Sequence, residues 1–182
     1  DYKPTMTREE AENWSTDSAI RDSLYHGTPT YQSAESIMQT GFDLSRQNAG
    51  KAYGQGVYLT PDSEQAKFWG SYLEPRRPVQ SQILEIRANV RNLLRISREE
   101  YARQIDTLLE NEFPPSKPRG TYDEFMAEIV RVKTSYFRNQ GYDAIRIDAP
   151  PRDPSLSIED WLKRYGGDQV IVFDPRKVVV IV

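Results

Sequence analysis

Strand-like and helix-like runs do not alternate regularly along this chain, and that irregularity constrains the fold more than any single motif does. Residues 23–28, 55–60, 142–147, 170–173 and 178–182 read as short strands. So does the stretch in which Leu84, Ile86, Ala88 and Val90 alternate with polar residues, as a half-buried strand must. Residues 91–96 continue it as an irregular or bent edge. Helical patterns are inserted early and in the middle. Ala34, Ile37 and Met38 keep helical spacing, and Gly41 is placed to stop that helix. Thr60-Pro61 offers an N-cap and a first-turn proline for a helix running to about Gly70. Ser97-Arg98-Glu99-Glu100 has capping-box spacing ahead of Tyr101, Ile105, Leu108 and Leu109 on one face. A second helix carries Phe125, Ile129, Val132 and Tyr136 and ends near Gly141, and residues 158–165 form a short third one. A doubly wound sheet would repeat strand and helix throughout. The order here favours α+β with mostly antiparallel pairing.

With 182 residues, the chain is most simply one domain, with a core that needs no disulfide staples. Residues 1–20 read as a lead-in helix or linker, with an amphipathic hint from Glu9 to Trp14, and 21–182 as the domain. The absence of Cys removes disulfides, thiolate nucleophiles and Cys-type metal sites together, and a single His argues against His-rich zinc sites. No metal is expected. A net charge of −3 gives no broad footprint for nucleic acid. No apolar run reaches the roughly 18 residues of a membrane span, and nothing resembles a signal peptide. The sequence reads as a soluble domain excised from a longer chain, acting in or delivered into a cytoplasm.

Five runs in one order carry the chemistry: Leu24-Tyr25-His26-Gly27-Thr28, Gly41-Phe42, Tyr53-Gly54-Gln55-Gly56-Val57-Tyr58-Leu59-Thr60, Ala66-Lys67-Phe68-Trp69-Gly70, and Gln169-Val170-Ile171-Val172-Phe173-Asp174-Pro175. They offer an imidazole at a strand end, a glycine beside it that lets a ligand approach the backbone, aromatic rings for a flat ligand, and a polar residue opening a late strand. Each element alone is more simply explained by packing. Their joint order in one small domain is harder to obtain that way. The glycines match neither a dinucleotide fingerprint nor a phosphate-binding P-loop.

These runs resemble the motifs of the diphtheria-toxin and poly(ADP-ribose)-polymerase clade of ADP-ribosyltransferases, named for a His, Tyr, Glu signature. Arg87-Ala88-Asn89-Val90-Arg91-Asn92 and Gly141-Tyr142-Asp143-Ala144-Ile145 are similar to stretches of bacterial and phage members. The resemblance spans residues 24 to 175 and implies the ADP-ribosyltransferase fold, a split, mostly antiparallel sheet with inserted helices. It implies transfer of ADP-ribose from NAD, as substrate, to a macromolecular target, in the manner of a toxin or effector. His26 would bond a ribose hydroxyl, Gly27 the nicotinamide carboxamide, and Thr28 the adenosine side. Tyr58 would stack on the nicotinamide with Phe68 on its other face, and Tyr53 belongs to the same NAD-contacting set. The catalytic set is His26, Tyr58 and Gln169. Gln169 departs from the usual Glu: it keeps a hydrogen bond but supplies neither charge nor base. Three readings follow: a natural variant that mono-ADP-ribosylates, an inactivating replacement of Glu, or a domain that binds NAD without turnover. NAD hydrolysis with water as acceptor is a further enzymatic alternative. The target is expected to be protein rather than nucleic acid, an immunity protein or chaperone is a candidate second partner, and the domain is expected to be a monomer off the membrane.

Weaker signals remain. Arg76-Arg77 between prolines reads as a solvated loop, with a phosphate or target contact as the sharper alternative. Arg87, Arg91, Arg95 and Arg98 read as a charge-protected edge, with an RNA or acidic protein surface as the alternative.

Overall fold

The computed structural model describes residues 2–46, 52–72 and 82–182. In chain order the elements are β1 (Thr5–Met6), α1 (Arg8–Trp14), β2 (Leu24–Thr28), α2 (Tyr31–Thr40), β3 (Val57–Leu59), α3 (Ser63–Tyr72), β4 (Gln82–Ala88), β5 (Leu93–Ser97), α4 (Arg98–Glu112), α5 (Tyr122–Arg138), β6 (Ala144–Asp148), α6 (Ile158–Tyr165), β7 (Gln169–Val172) and β8 (Val178–Ile181). The fold is α+β. The strands form two mixed four-stranded sheets: sheet I in the order β1-β8-β4-β2 and sheet II in the order β3-β7-β6-β5. Each sheet has one parallel edge pair, β1 with β8 and β5 with β6, and is otherwise antiparallel.

Local chemistry accounts for most boundaries. Gly41, at φ 83°, ends α2, a conformation in which a side chain would be strained. Ser97 caps α4 by accepting the Glu100 amide, and Thr121 and Glu124 close a reciprocal capping box at α5. The helix after β3 starts later than its sequence suggests. Thr60 is held in a bridge with Tyr25, amide to carbonyl in both directions at 2.8 and 2.9 Å. The Asp62 carboxylate accepts the Glu64 amide instead, so α3 begins at Ser63. Residues 91–96 contain a regular edge strand, β5, in parallel register with β6. The lead-in is bonded into sheet I: β1 lies along β8, and the Tyr2 hydroxyl donates to the Val178 carbonyl at 3.1 Å. The 75–78 proline loop, with Arg76 and Arg77, lies outside the described residues.

Two cores follow from strand alternation. Leu24, Leu84, Ile86, Val57, Leu59, Val170 and Val172 fill the space between the sheets, with Ala34 of α2. The other row of sheet II, Ile145, Ile147 and Ile171, packs beneath α4 and α5 with Tyr101, Ile105 and Phe137. Sheet II is therefore covered on both faces, and β3 and β7 can present side chains to either core.

Candidate functional site

The Tyr25–Thr60 bridge is the one backbone pairing described between the two sheets. Beyond it β2 and β3 diverge, and the sequence-identified residues gather around that split. His26 lies in the inward row of β2. Its Nδ1 sits 2.9 Å from the Tyr58 carbonyl oxygen, and its ring meets Phe42 edge-on at 4.9 Å. Burial holds the imidazole below its ordinary pKa, and the Tyr58 carbonyl pulls the other way. A neutral ring facing a carbonyl must carry its proton on Nδ1. Nε2 is then a hydrogen-bond acceptor and has no partner among the described residues.

Gly27 has two jobs. A Cβ there would lie 1.9 Å from the Ala66 carbonyl oxygen and 2.8 Å from the Gly70 amide, so the glycine is required by the close approach of α3. Sequence reasoning gave that approach to a ligand; the helix makes it on this face. The backbone edge remains open. Tyr25 spends its amide and carbonyl on Thr60, so alternation along an antiparallel strand turns those of Gly27 toward the same edge, where β3 has diverged. Thr28 is 1% exposed and its hydroxyl donates to the Thr30 carbonyl at 3.2 Å.

Tyr58 closes its own entry loop. Its hydroxyl donates to the Gly54 carbonyl at 2.5 Å and accepts the Tyr53 amide at 2.8 Å. Burial raises its pKa far above the ordinary tyrosine value. The Tyr53 ring lies nearly parallel to it, centroids 6.4 Å apart, and meets Tyr101 edge-on at 4.9 Å. Tyr53 is 9% exposed, so it supports Tyr58 from inside the aromatic core. Phe68 does not form a ring pair with Tyr58; its described ring partner is Trp69, at 5.0 Å. The glycines around Gln55 serve packing: a Cβ at Gly54 would meet Thr134 of α5 at 2.8 Å, and one at Gly56 would meet Ile171 at 2.6 Å.

Gln169 opens β7. Tyr58 pairs with Ile171, so Gln169, two residues earlier, lies on the same face of sheet II as Tyr58. Its Nε2 donates to the Gly166 carbonyl at 3.0 Å. A Cβ on Gly166 would come 3.3 Å from that nitrogen and 4.0 Å from the Tyr53 hydroxyl, so both side chains lie near Gly166. Asp168 points elsewhere, accepting the Ala149 amide at 2.9 Å. His26, Tyr58 and Tyr53 are thus joined by short contacts, Gln169 is bonded to Gly166, and neither of the two cavities described is lined by any of the four.

Three features add to the sequence reading, which had Trp69 in one of the five runs and Tyr101 on the apolar face of a helix but passed over Gln65. Gln65 of α3 is 4% exposed with a buried, unpartnered Oε1, and it abuts Gly167. Trp69 lies one turn further on the same helix face. Tyr101, also 4% exposed, has a buried hydroxyl with no partner. The Gly166-Gly167 pair ahead of β7, both at positive φ, was the available sequence signal.

The four arginines of 87–98 have separate partners and form no common basic face: Arg87 donates to the Arg21 carbonyl, Arg91 pairs with Asp17, Arg95 with Asp148, and Arg98 with the Arg164 carbonyl. Among the described residues no cluster of three or more His, Cys, Asp or Glu is placed to hold a metal ion, and no helix is long and apolar enough to cross a membrane. No protein-family model matches the chain, and no curated protein matches it.

Proposed function

We propose that the split between β2 and β3 binds NAD and that the domain transfers ADP-ribose from it to a macromolecular target, protein in preference to nucleic acid. The observation that carries this reading is His26. It is half-buried, its pKa held down by desolvation and its Nδ1 fixed by the Tyr58 carbonyl, with a lone pair left on Nε2 beside the Gly27 amide and carbonyl on the edge of β2 away from β4. A ribose hydroxyl can donate to that lone pair. A primary carboxamide can accept from the Gly27 amide and donate to the Gly27 carbonyl, which is a complementary two-point contact. The Tyr58 ring supplies an aromatic wall for a cationic pyridinium, worth about 0.5–2 kcal/mol.

In the reaction the glycosidic C1′–N bond breaks and nicotinamide leaves with the bonding pair. A lone pair of the acceptor then closes on the oxocarbenium-like carbon, and the acceptor's proton passes to solvent. Catalysis would be positioning and electrostatic stabilisation. Gln169 can orient a hydroxyl but cannot take a proton. Its amide is held by the Gly166 carbonyl, a bond that a carboxylate could not make. That favours a second reading, NAD binding with little turnover.

Calorimetric titration with NAD and an assay for released nicotinamide test both. The expected result is NAD binding that weakens by at least about tenfold in His26→Ala, with nicotinamide release rising by about 10²–10⁴-fold in Gln169→Glu. Binding without release or transfer by either chain would leave the non-catalytic reading. Absence of NAD binding at millimolar concentration would remove both.

A further inference from the structure

We propose that a second site, on the opposite face of sheet II from Tyr58 and Gln169, binds a small oxyanion carried on an apolar body. The register of β5, β6 and β7 sets the residues facing sheet I in rows. One row is Leu93, Ala144 and Val172, which belongs to the core between the sheets. The next row on the same face is Arg95, Arg146 and Val170. Two arginines therefore stand directly beside each other where the preceding row is apolar. Adjacent like charges on neighbouring strands are unfavourable, and the half-buried Arg146 calls for compensation more than the exposed Arg95 does.

Asp148 compensates in part. It lies two residues beyond Arg146 on the same face and accepts from Nε of Arg95 at 2.7 Å and Nε of Arg146 at 3.1 Å. Arg95 Nη2 adds a long contact at 3.4 Å. The two terminal nitrogens of Arg146 have no partner among the described residues, although the side chain is only 26% exposed. Both guanidinium groups line a cavity of about 530 Å³ where the two sheets meet, together with Arg21 and Asp22. Leu24, Leu93, Pro61 and Val170 supply apolar wall. Asp22, Asp148 and, acting on Arg95, Asp168 balance the three arginines in number, so what the site offers an anion is the unpartnered fork of Arg146, and the volume suits a small aromatic molecule. The free fork of Arg146 suits the paired oxygens of a carboxylate or phosphate group.

This proposal is independent of the NAD reading. The test is titration of the whole chain with phenyl phosphate, benzoate and the neutral benzyl alcohol, followed by amide chemical shifts. The anions are expected to saturate, with shifts centred on Tyr25, Arg146 and Val170, and benzyl alcohol is not. The tighter of the two anions names the oxyanion. Arg146→Gln should weaken binding by about tenfold or more. Arg95→Gln, at a side chain 65% exposed and so safe for folding, should weaken it less. Arg91→Gln, at an exposed surface pair whose residues do not line the cavity, should leave it unchanged. Failure of both anions to saturate, an equal response to benzyl alcohol, or an equal loss in Arg91→Gln would overturn the site. Displacement of the anion by NAD would overturn its separateness.

Discussion

The two sheets match in strand number and in pairing pattern, yet their outer faces are covered in opposite ways. On sheet I, α3 rests on bare backbone: Gly27 faces Ala66 and Gly70 with no side chain between them. On sheet II, α4 and α5 are held off by large side chains, with Tyr101 stacked on Phe137 at 5.7 Å and Tyr53 edge-on to Tyr101. Backbone contact fixes a distance and tolerates no added atom. Aromatic packing contributes more buried area and adjusts to small changes. The difference matters for the split, because its two sides inherit these properties. The His26–Gly27 edge is set by steric exclusion, and the Tyr58–Gln169 side by a deformable aromatic core.

The largest expected effect is on the aromatic side. Phe137→Ala should cost about 3–5 kcal/mol in denaturant unfolding, while NAD binding per folded molecule survives. Gly27→Ala should cost about 2–3 kcal/mol and also abolish NAD binding, since α3 must move. A Gly27→Ala chain as stable as the parent would break the contrast. Tyr58→Phe should cost about 1–3 kcal/mol, because the Gly54 carbonyl and Tyr53 amide lose their shared partner. Tyr101→Phe removes a buried hydroxyl that bonds nothing, so thermal unfolding should rise by the equivalent of up to about 1 kcal/mol.

The dependence on pH sharpens the other side. His26 has a lowered folded-state pKa, so between its folded and unfolded values the unfolded chain binds the extra proton. Its contribution to stability is complete above about pH 6.5 and is lost as pH falls through the folded value. Urea midpoints measured from pH 8 downward should show that loss, and His26→Asn should flatten it.

What the sequence revealed was local. Gly41, Ser97 and the 158–165 pattern are read within one or two turns, and the helices they bound occur where expected. What it concealed depends on distant partners. Thr60 looks like a cap until Tyr25 takes its backbone. Thr5 and Met6 carry no strand signal, because two residues become a strand only beside Val180 and Ile181. Gly27 looks like an opening for a ligand alone, and only the structure shows α3 resting on its other side. His26, Tyr58 and Gln169 were legible by residue type, and the bonds that fix them, to the Tyr58 carbonyl, the Tyr53 amide and the Gly166 carbonyl, were not. Arg146 went unread because a single arginine in an apolar strand becomes informative only when Arg95 stands beside it.

The pairing of β1 with β8 also has a mechanical meaning. The two strands run parallel, and they are the first and last strands among the described residues. Tension applied through the two ends would slide them past one another in opposite directions along their length. The Pro4–Val180 and Met6–Val182 hydrogen bonds, with the Tyr2 contact to Val178, would then bear load together in shear rather than give way in succession like a zip. A machine that unravels this domain from either end would meet its stiffest resistance at the first step, before either core is disturbed.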